Sequence, residues 1–235
     1  GTTVTCHPDY PAKAVKYLAE QTGIDFHNSD DLIAATSDCG AYVAISSAAK
    51  SLAVKLTKVC NDMRLLASGP RTGLSEINLP MRQPGSSIMP GKVNPVIPEV
   101  TNQASFLAIG LDTTVMLAAS AGQLELNVME PVISFAVFTQ MKVLTNAMIA
   151  LREKCVDGIT ANAEHTKDLV MNSLGIVTLL KPHFGYMLCA EMAKEGYTEG
   201  KSLHQIVVEE RKLMTEDKWN EVFSFQNLIA PKFEM

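Results

Sequence analysis

From Asp38 to Ala67 the chain runs about thirty residues without a proline, and Tyr42, Val43, Ile45, Ala49, Leu52, Ala53, Leu56, Val59, Cys60, Met63 and Leu66 recur at threes and fours. That spacing puts the apolar side chains on one face and predicts a single long helix. Two similar runs follow, from about Glu99 to Ala121 and from about Pro131 to Ile159, with Gly122 to Asn127 as the joint. Three helices of this length, poor in aromatics and rich in Ala, Leu, Val and Met, predict a helical bundle. An amphipathic run from Pro11 to about Gly23 precedes them, and Asn28, Ser29 and Asp30 read as the cap of a short helix through Ala35.

Past Gly158 the texture changes. Asn162 to Asn172, Ile176 to Leu180, Tyr186 to Lys194, Ser202 to Glu210 and Thr215 to Phe223 are short helical patterns separated by Gly or Pro. Ser202 with Gln205 forms a capping box, and Thr215 with Lys218 marks another helix start. The expected fold is therefore all-α and in two parts. Residues 1–158 would be the C-terminal part of a long-helix bundle domain, and residues 159–235 a small C-terminal helical domain.

Between Ser68 and Pro98 the helical period vanishes, and glycines and prolines punctuate a long irregular stretch. Loops of this length are uncommon in compact domains and are usually functional or disordered, and Leu74, Ile77, Leu79, Ile88, Met89, Val93 and Val96 argue against disorder. Within it, GSSIMPGKVNP, Gly85 to Pro95, crowds two glycines, two serines, a lysine, an asparagine and two prolines together. Glycine lets backbone approach a ligand closely and proline fixes the path, while Ser86, Ser87, Lys92 and Asn94 supply donors suited to carboxylate oxygens. The plain alternative is a rigid connector whose serines cap the next helix. A capping serine needs no lysine and asparagine beside it, and connectors between bundle helices span about 2 to 8 residues. Glu99 follows at the start of a helix, where a carboxylate suits the positive end of the dipole, and Glu125 and Glu130 flank the joint, where a capping or ion-pair role is the default.

The remaining composition narrows the field. A net charge of -5 with no block of Lys and Arg argues against nucleic acid or a membrane surface as partner. No signal-peptide pattern opens the chain, and no apolar run reaches the roughly 18 uncharged residues of a membrane span. Cys6, Cys39, Cys60, Cys155 and Cys189 are odd in number and widely spaced, so free thiols in a reducing compartment, the cytoplasm, are expected. None has a CxxC partner, and a cysteine nucleophile is unsupported. His7, His27, His165, His183 and His204 show no metal-ligand spacing, so no metal site is expected and each reads as a surface or packing residue; His183 falls in what looks like a turn, KPHFGY. The start at Gly1-Thr2-Thr3, with no initiator Met, reads as a processed product or a piece of a longer chain.

GSSIMPGKVNP resembles the signature of the fumarase and aspartase superfamily at every patterned position. ATSDCGAYV, KVCNDMRLLASGPRTGLSEINLP, AGQLELNVMEPVI, GITAN and SLGIVTLLKPHFGY resemble the corresponding segments of the same family, so the likeness spans nearly the whole chain. PVIPEV, MEPVI and FSFQNL resemble its aspartase branch more than the fumarases. The resemblance implies reversible deamination of L-aspartate to fumarate and ammonia, with fumarate hydration, or a catalytically silent fragment, as the alternatives.

It also implies roles within the signature loop, in which Gly85, Met89 and Pro90 belong to the family pattern. Ser86 would be the base that removes a proton beside the β-carboxylate, giving an aci-carboxylate. Lys92 and Asn94 would hold the α-carboxylate, Ser87 the β-carboxylate, and Glu99 would orient a histidine from another segment. A serine base needs its alkoxide stabilised by backbone N–H groups and a cation; a drop of about four pKa units corresponds to roughly 5 to 6 kcal/mol. The family implies no organic cofactor, a divalent ion such as Mg2+ as activator at most, and a homotetramer in which three subunits build each site. A complementary N-terminal chain is the alternative partner. Two departures stand against the pattern. Nothing here matches the family's segment with threonine and histidine or its segment with serine, threonine and asparagine, and Lys181 replaces the asparagine usual before the proline of PHFGY.

Overall fold

The structure, a computed structural model, describes residues 2–229, whose regular elements are helical apart from two two-residue strands, Ile77–Asn78 and Thr160–Ala161. They form two compact units, one running through Thr160 and the other beginning at Ala161.

In the first unit α1 spans Tyr10–Thr22, with Pro11 in its first turn, and stops at Gly23. The helix expected through Ala35 is only a 3-10 turn, Ala34–Thr36, and its cap is Asp31, whose Oδ1 accepts from the N–H groups of Ile33 and Ala34 at 2.9 and 3.0 Å. Too few residues remain before the next helix to offset the cost of nucleating an α-helix. The three long helices are α2, Gly40–Leu66, α3, Val96–Ser120, and α4, Glu130–Lys154. Pro98 sits in the first turn of α3, where its missing N–H costs nothing. The third helix ends before the expected Ile159 because Cys155 leaves the helical region and a 3-10 turn, Val156–Gly158, follows.

α2 packs on α3 and α3 on α4, with α4 also reaching α2. The core runs along this bundle in three layers. Cys39, Val115, Ala118, Ile133, Ala136 and Val137 form one end, Ala49, Ala53, Ala108 and Leu144 the middle, and Cys60, Leu151 and Cys155 the other end. Fully buried Ala53 and Ala108 keep the middle thin, so the helix axes approach closely. Asn127 fixes the joint: its Nδ2 donates to Ala118 O and Ala119 O at 3.0 and 3.1 Å, and its Oδ1 accepts from Met129 N at 2.8 Å. One buried amide thus closes the end of α3 and the start of α4. Glu130 opens α4, at the positive end of its dipole.

Asp112 is the buried charge of the bundle. It sits on α3, paired with Lys50 of α2 and accepting from Ser46 Oγ at 2.8 Å. Burial pushes its carboxyl up, but hydrogen bonds from Lys50 and Ser46, the lysine charge and Ser47 outweigh that and hold it below the usual range. A lowered folded pKa stabilises above the unfolded value, about 4, and the contribution fades as pH falls through the folded value. We expect Asp112→Asn to cost about 1 to 3 kcal/mol at neutral pH, toward the lower end because Lys50 is partly exposed. Melting temperatures of parent and variant should converge in acid; parallel curves would remove this role.

α3 and the helical stretch Glu130–Gly158 are long and apolar enough to cross a membrane by length and composition, with mean hydropathy of 1.2 and 1.4. Neither holds the charge-free run that the sequence criterion asked for: Asp112 interrupts one and Lys142 the other. Phe106, Leu107, Met116 and Leu117 of α3 and Phe135 and Phe138 of α4 are exposed in this chain.

The second unit contains α5, Ala163–Met171, a 3-10 stretch Leu174–Leu180, α6, Lys181–Glu199, a π turn Gln205–Glu210, α7, Glu216–Val222, and α8, Phe225–Ile229. Leu180, Met192, Leu203, Ile206, Val207 and Trp219 centre its core. Ser202 Oγ accepts from Gln205 N at 3.2 Å while Gln205 Oε1 accepts from Ser202 N at 2.9 Å, the reciprocal pair read from the sequence. Thr215 Oγ1 accepts from Lys218 N at 3.3 Å. His183 lies in the first turn of α6, and the turn read in KPHFGY is a break in the helix at Gly185, whose φ is 74°. His204, read as a surface or packing residue, stands between Glu209 and Glu216 at 3.4 and 2.8 Å and meets Trp219 edge-on. Its partners lie five and twelve residues on, outside the i+3 and i+4 positions that helical spacing scans.

Candidate active site

The signature segment is the last part of the connection from α2, which ends at Leu66, to α3, which begins at Val96. Its flanks are tied down: Leu79 and Ile97 pack against the end layer of Cys60, Leu151 and Cys155. Between them the loop closes on itself at a neck. Gly85 N donates to Lys92 O at 2.9 Å, and Asn94 Nδ2 donates to Gly85 O at 2.8 Å. A Cβ on Gly85 would lie 2.1 Å from Lys92 O, so only glycine permits the crossing. Lys92 N donates to Met89 O at 3.2 Å, completing the turn, and Gly91 adopts φ +81°.

Inside the neck, Ser86 Oγ accepts from Ile88 N at 3.1 Å and from Met89 N at 3.2 Å. Two backbone donors on one hydroxyl oxygen would strengthen if that oxygen became an alkoxide, because charge-assisted hydrogen bonds are the stronger kind. Lys92 lines the same cavity, of about 450 Å3, with Met81, Arg82, Gln83, Pro84, Gly85, Ser86, Gly91 and Val93. The pocket thus brings a serine with two backbone N–H donors and a lysine into one lining. A second cavity, of about 410 Å3, shares Met81, Gly91, Lys92 and Val93 with the first and includes Asn94, Asn78 and Ser75.

The structure brings Gly85, Ser86, Lys92 and Asn94 together. Asn94 commits one of its two amide hydrogens to the neck. Ser87, Met89 and Pro90 are exposed on the outer turn, and Ile88 beside them is 87% exposed, so the cavity opens to solvent. Glu99 is half-buried in the first turn of α3. The five cysteines are free thiols; Cys39, Cys60, Cys155 and Cys189 are buried, and burial pushes the Cys60 thiol up to about 11 and raises the other three. Such thiols are poor nucleophiles. Sequence reasoning missed Arg82 and Asn127, whose partners are backbone carbonyls that no residue spacing announces.

A lyase family model matches residues 1–110, and the model described as the fumarase C C-terminus matches residues 176–230. An aspartate ammonia-lyase of Escherichia coli K12 is 54% identical over 234 residues, 100% of this chain and 49% of that protein. A solved class II fumarase from Schistosoma mansoni superposes with a TM-score of 0.90 at 32% identity, covering 99% of this chain and 52% of that one. A fumarate lyase:delta crystallin structure from Brucella melitensis gives 0.88 at 42% identity over 94% of this chain and 48% of that one. The chain spans about half the length of the curated relatives it matches.

Proposed function

Because the chain belongs to the fumarase and aspartase superfamily of lyases, we propose that in its complete assembly it catalyses reversible deamination of L-aspartate to fumarate and ammonia. The observation that carries this is Ser86 Oγ, held by two backbone N–H groups in a cavity it shares with Lys92. As alkoxide, Ser86 takes a proton from the carbon beside the β-carboxylate. The electron pair of that C–H bond moves into the carboxylate, giving an aci-carboxylate dianion; its return forms the C=C bond and expels the α-ammonium group, which takes the C–N electron pair and leaves as ammonia. Ser87 supports the β-carboxylate, where charge grows, and Lys92 and Asn94 hold the α-carboxylate, the lysine supplying charge and the amide direction. Glu99 orients a histidine that another segment contributes.

The open cavity and the exposed phenylalanines of α3 and α4 support a shared-site homotetramer, in which neighbouring copies cover these surfaces. Among the described residues no group of three or more His, Cys, Asp or Glu that could hold a metal ion occurs, and no step above passes through one; a divalent ion such as Mg2+ would act only as an activator. The buried free thiols fit a reducing compartment such as the cytoplasm.

Fumarate hydration is the second reading, favoured by the likeness to the class II fumarase. Ultraviolet absorbance of fumarate, followed separately with aspartate and with malate, decides between them. We expect aspartate to be turned over at least about tenfold faster, a transition-state difference of roughly 1.4 kcal/mol. Equal or greater activity on malate would reverse the assignment.

A further inference from the structure

Arg82 lines the loop cavity, yet its donors point elsewhere. Nε donates to Lys154 O at 2.6 Å and Nη2 to Glu153 O at 3.4 Å. These are the last carbonyls of α4, which have no N–H of a following turn to accept, and they form the negative end of its dipole. Two more contacts lie along the same seam. Asn78 Nδ2 donates to Thr160 Oγ1 at 3.2 Å, and Gly158 sits so close to Pro80 that a Cβ there would come within 2.6 Å of Pro80 Cγ. The stem from Asn78 to Arg82 is thus fastened to the stretch from Glu153 to Thr160, and Arg82 is the last fastening. Only Gln83 and Pro84, both exposed, separate it from Gly85 and the neck. Pro84 has a fixed φ, so a displaced Arg82 passes its displacement on instead of absorbing it.

We propose that Arg82 is a positioning residue for the loop: by gripping the terminal carbonyls of α4 it sets where the neck closes and so where Ser86 Oγ points. Its consequence for turnover rests on the assignment of Ser86 as the base. Arg82 acts through the backbone, because the two nitrogens seen bonded are committed to carbonyls and not to a substrate carboxylate. A lysine there keeps the charge but loses the fork that reaches two carbonyls together.

The test uses the full-length enzyme with Arg82→Leu and Arg82→Lys. Hydrogen–deuterium exchange is read at the amides of Gly85 and Lys92, which close the neck and the turn, and at α3 as the internal reference. In Arg82→Leu we expect about tenfold faster exchange at the loop amides with α3 unchanged, and kcat for aspartate lower by about tenfold with KM within threefold. Arg82→Lys should fall between parent and Leu in both readouts, and it carries the test should the Leu variant not fold. Unchanged loop exchange overturns the proposal. So does a raised KM with kcat kept, which would make Arg82 a substrate-binding cation. Should the parent leave aspartate untouched, the assigned reaction fails, while the exchange measurement still decides Arg82.

Discussion

Ser86→Ala should abolish fumarate formation from aspartate, by about a thousandfold or more, in an assembly that melts at the temperature of the parent. The size follows from the role: removing a positioned general base costs about 10² to 10⁴ in rate. Here the other polar side chains lining the cavity, Arg82, Gln83 and Lys92, include no carboxylate or imidazole to replace it. The intact fold follows from the surroundings. Among the described residues Ser86 bonds the N–H groups of Ile88 and Met89, two and three residues on, in an exposed loop, so its loss leaves the bundle layers and the neck between Gly85 and Lys92 in place. Circular dichroism and native mass report the fold, and fumarate absorbance reports turnover. Activity within tenfold of the parent would remove Ser86 as the base and leave its two backbone contacts as turn geometry alone.

What could be read from the residues divides by the range of the contact that determines it. α2, α3 and α4 were legible because helical burial repeats every three to four residues, so the period is written in the chain itself. The loop was legible because its residue types serve no helix or strand. Both capping motifs of the second unit came out correctly, since Ser202 with Gln205 and Thr215 with Lys218 act within one turn. Where a partner is distant, spacing fails. Thr36 Oγ1 donates to Glu125 O at 2.6 Å and Thr36 O accepts from Asn127 N at 3.0 Å, so the joint is tied to a segment some ninety residues earlier. The cap placed at Asn28 to Asp30 was misassigned by one residue because Asn, Ser and Asp all accept from backbone, and only the backbone path selects Asp31. The pairing of Lys50 with Asp112 was equally invisible: an aspartate amid apolar residues looks like a break in a helical face until the helix bearing its cation is laid beside it.

The neck makes the sharper claim about the loop, and two glycines within it separate space from conformation. At Gly85 a methyl group would lie 2.1 Å from Lys92 O and 2.6 Å from Lys92 C, both backbone atoms that no rotamer change can move. At Gly91 nothing lies within 4 Å, and only φ +81° opposes a side chain, at about 1 to 2 kcal/mol. Gly85→Ala must therefore open the crossing, breaking the bond from Gly85 N to Lys92 O and moving Gly85 O away from Asn94. Ser86 follows Gly85 directly and Lys92 is the partner pushed off, so base and cation shift apart in one event. We expect kcat for aspartate to fall by about a hundredfold or more, the scale of a misplacement of about 1 Å, while Gly91→Ala stays within about tenfold, its strain spread over an exposed turn. Both variants should melt near the parent, since the loop lies outside the bundle layers. The reverse order, with Gly91→Ala the more damaging, would mean that the flexibility of the outer turn governs turnover and the closed neck does not.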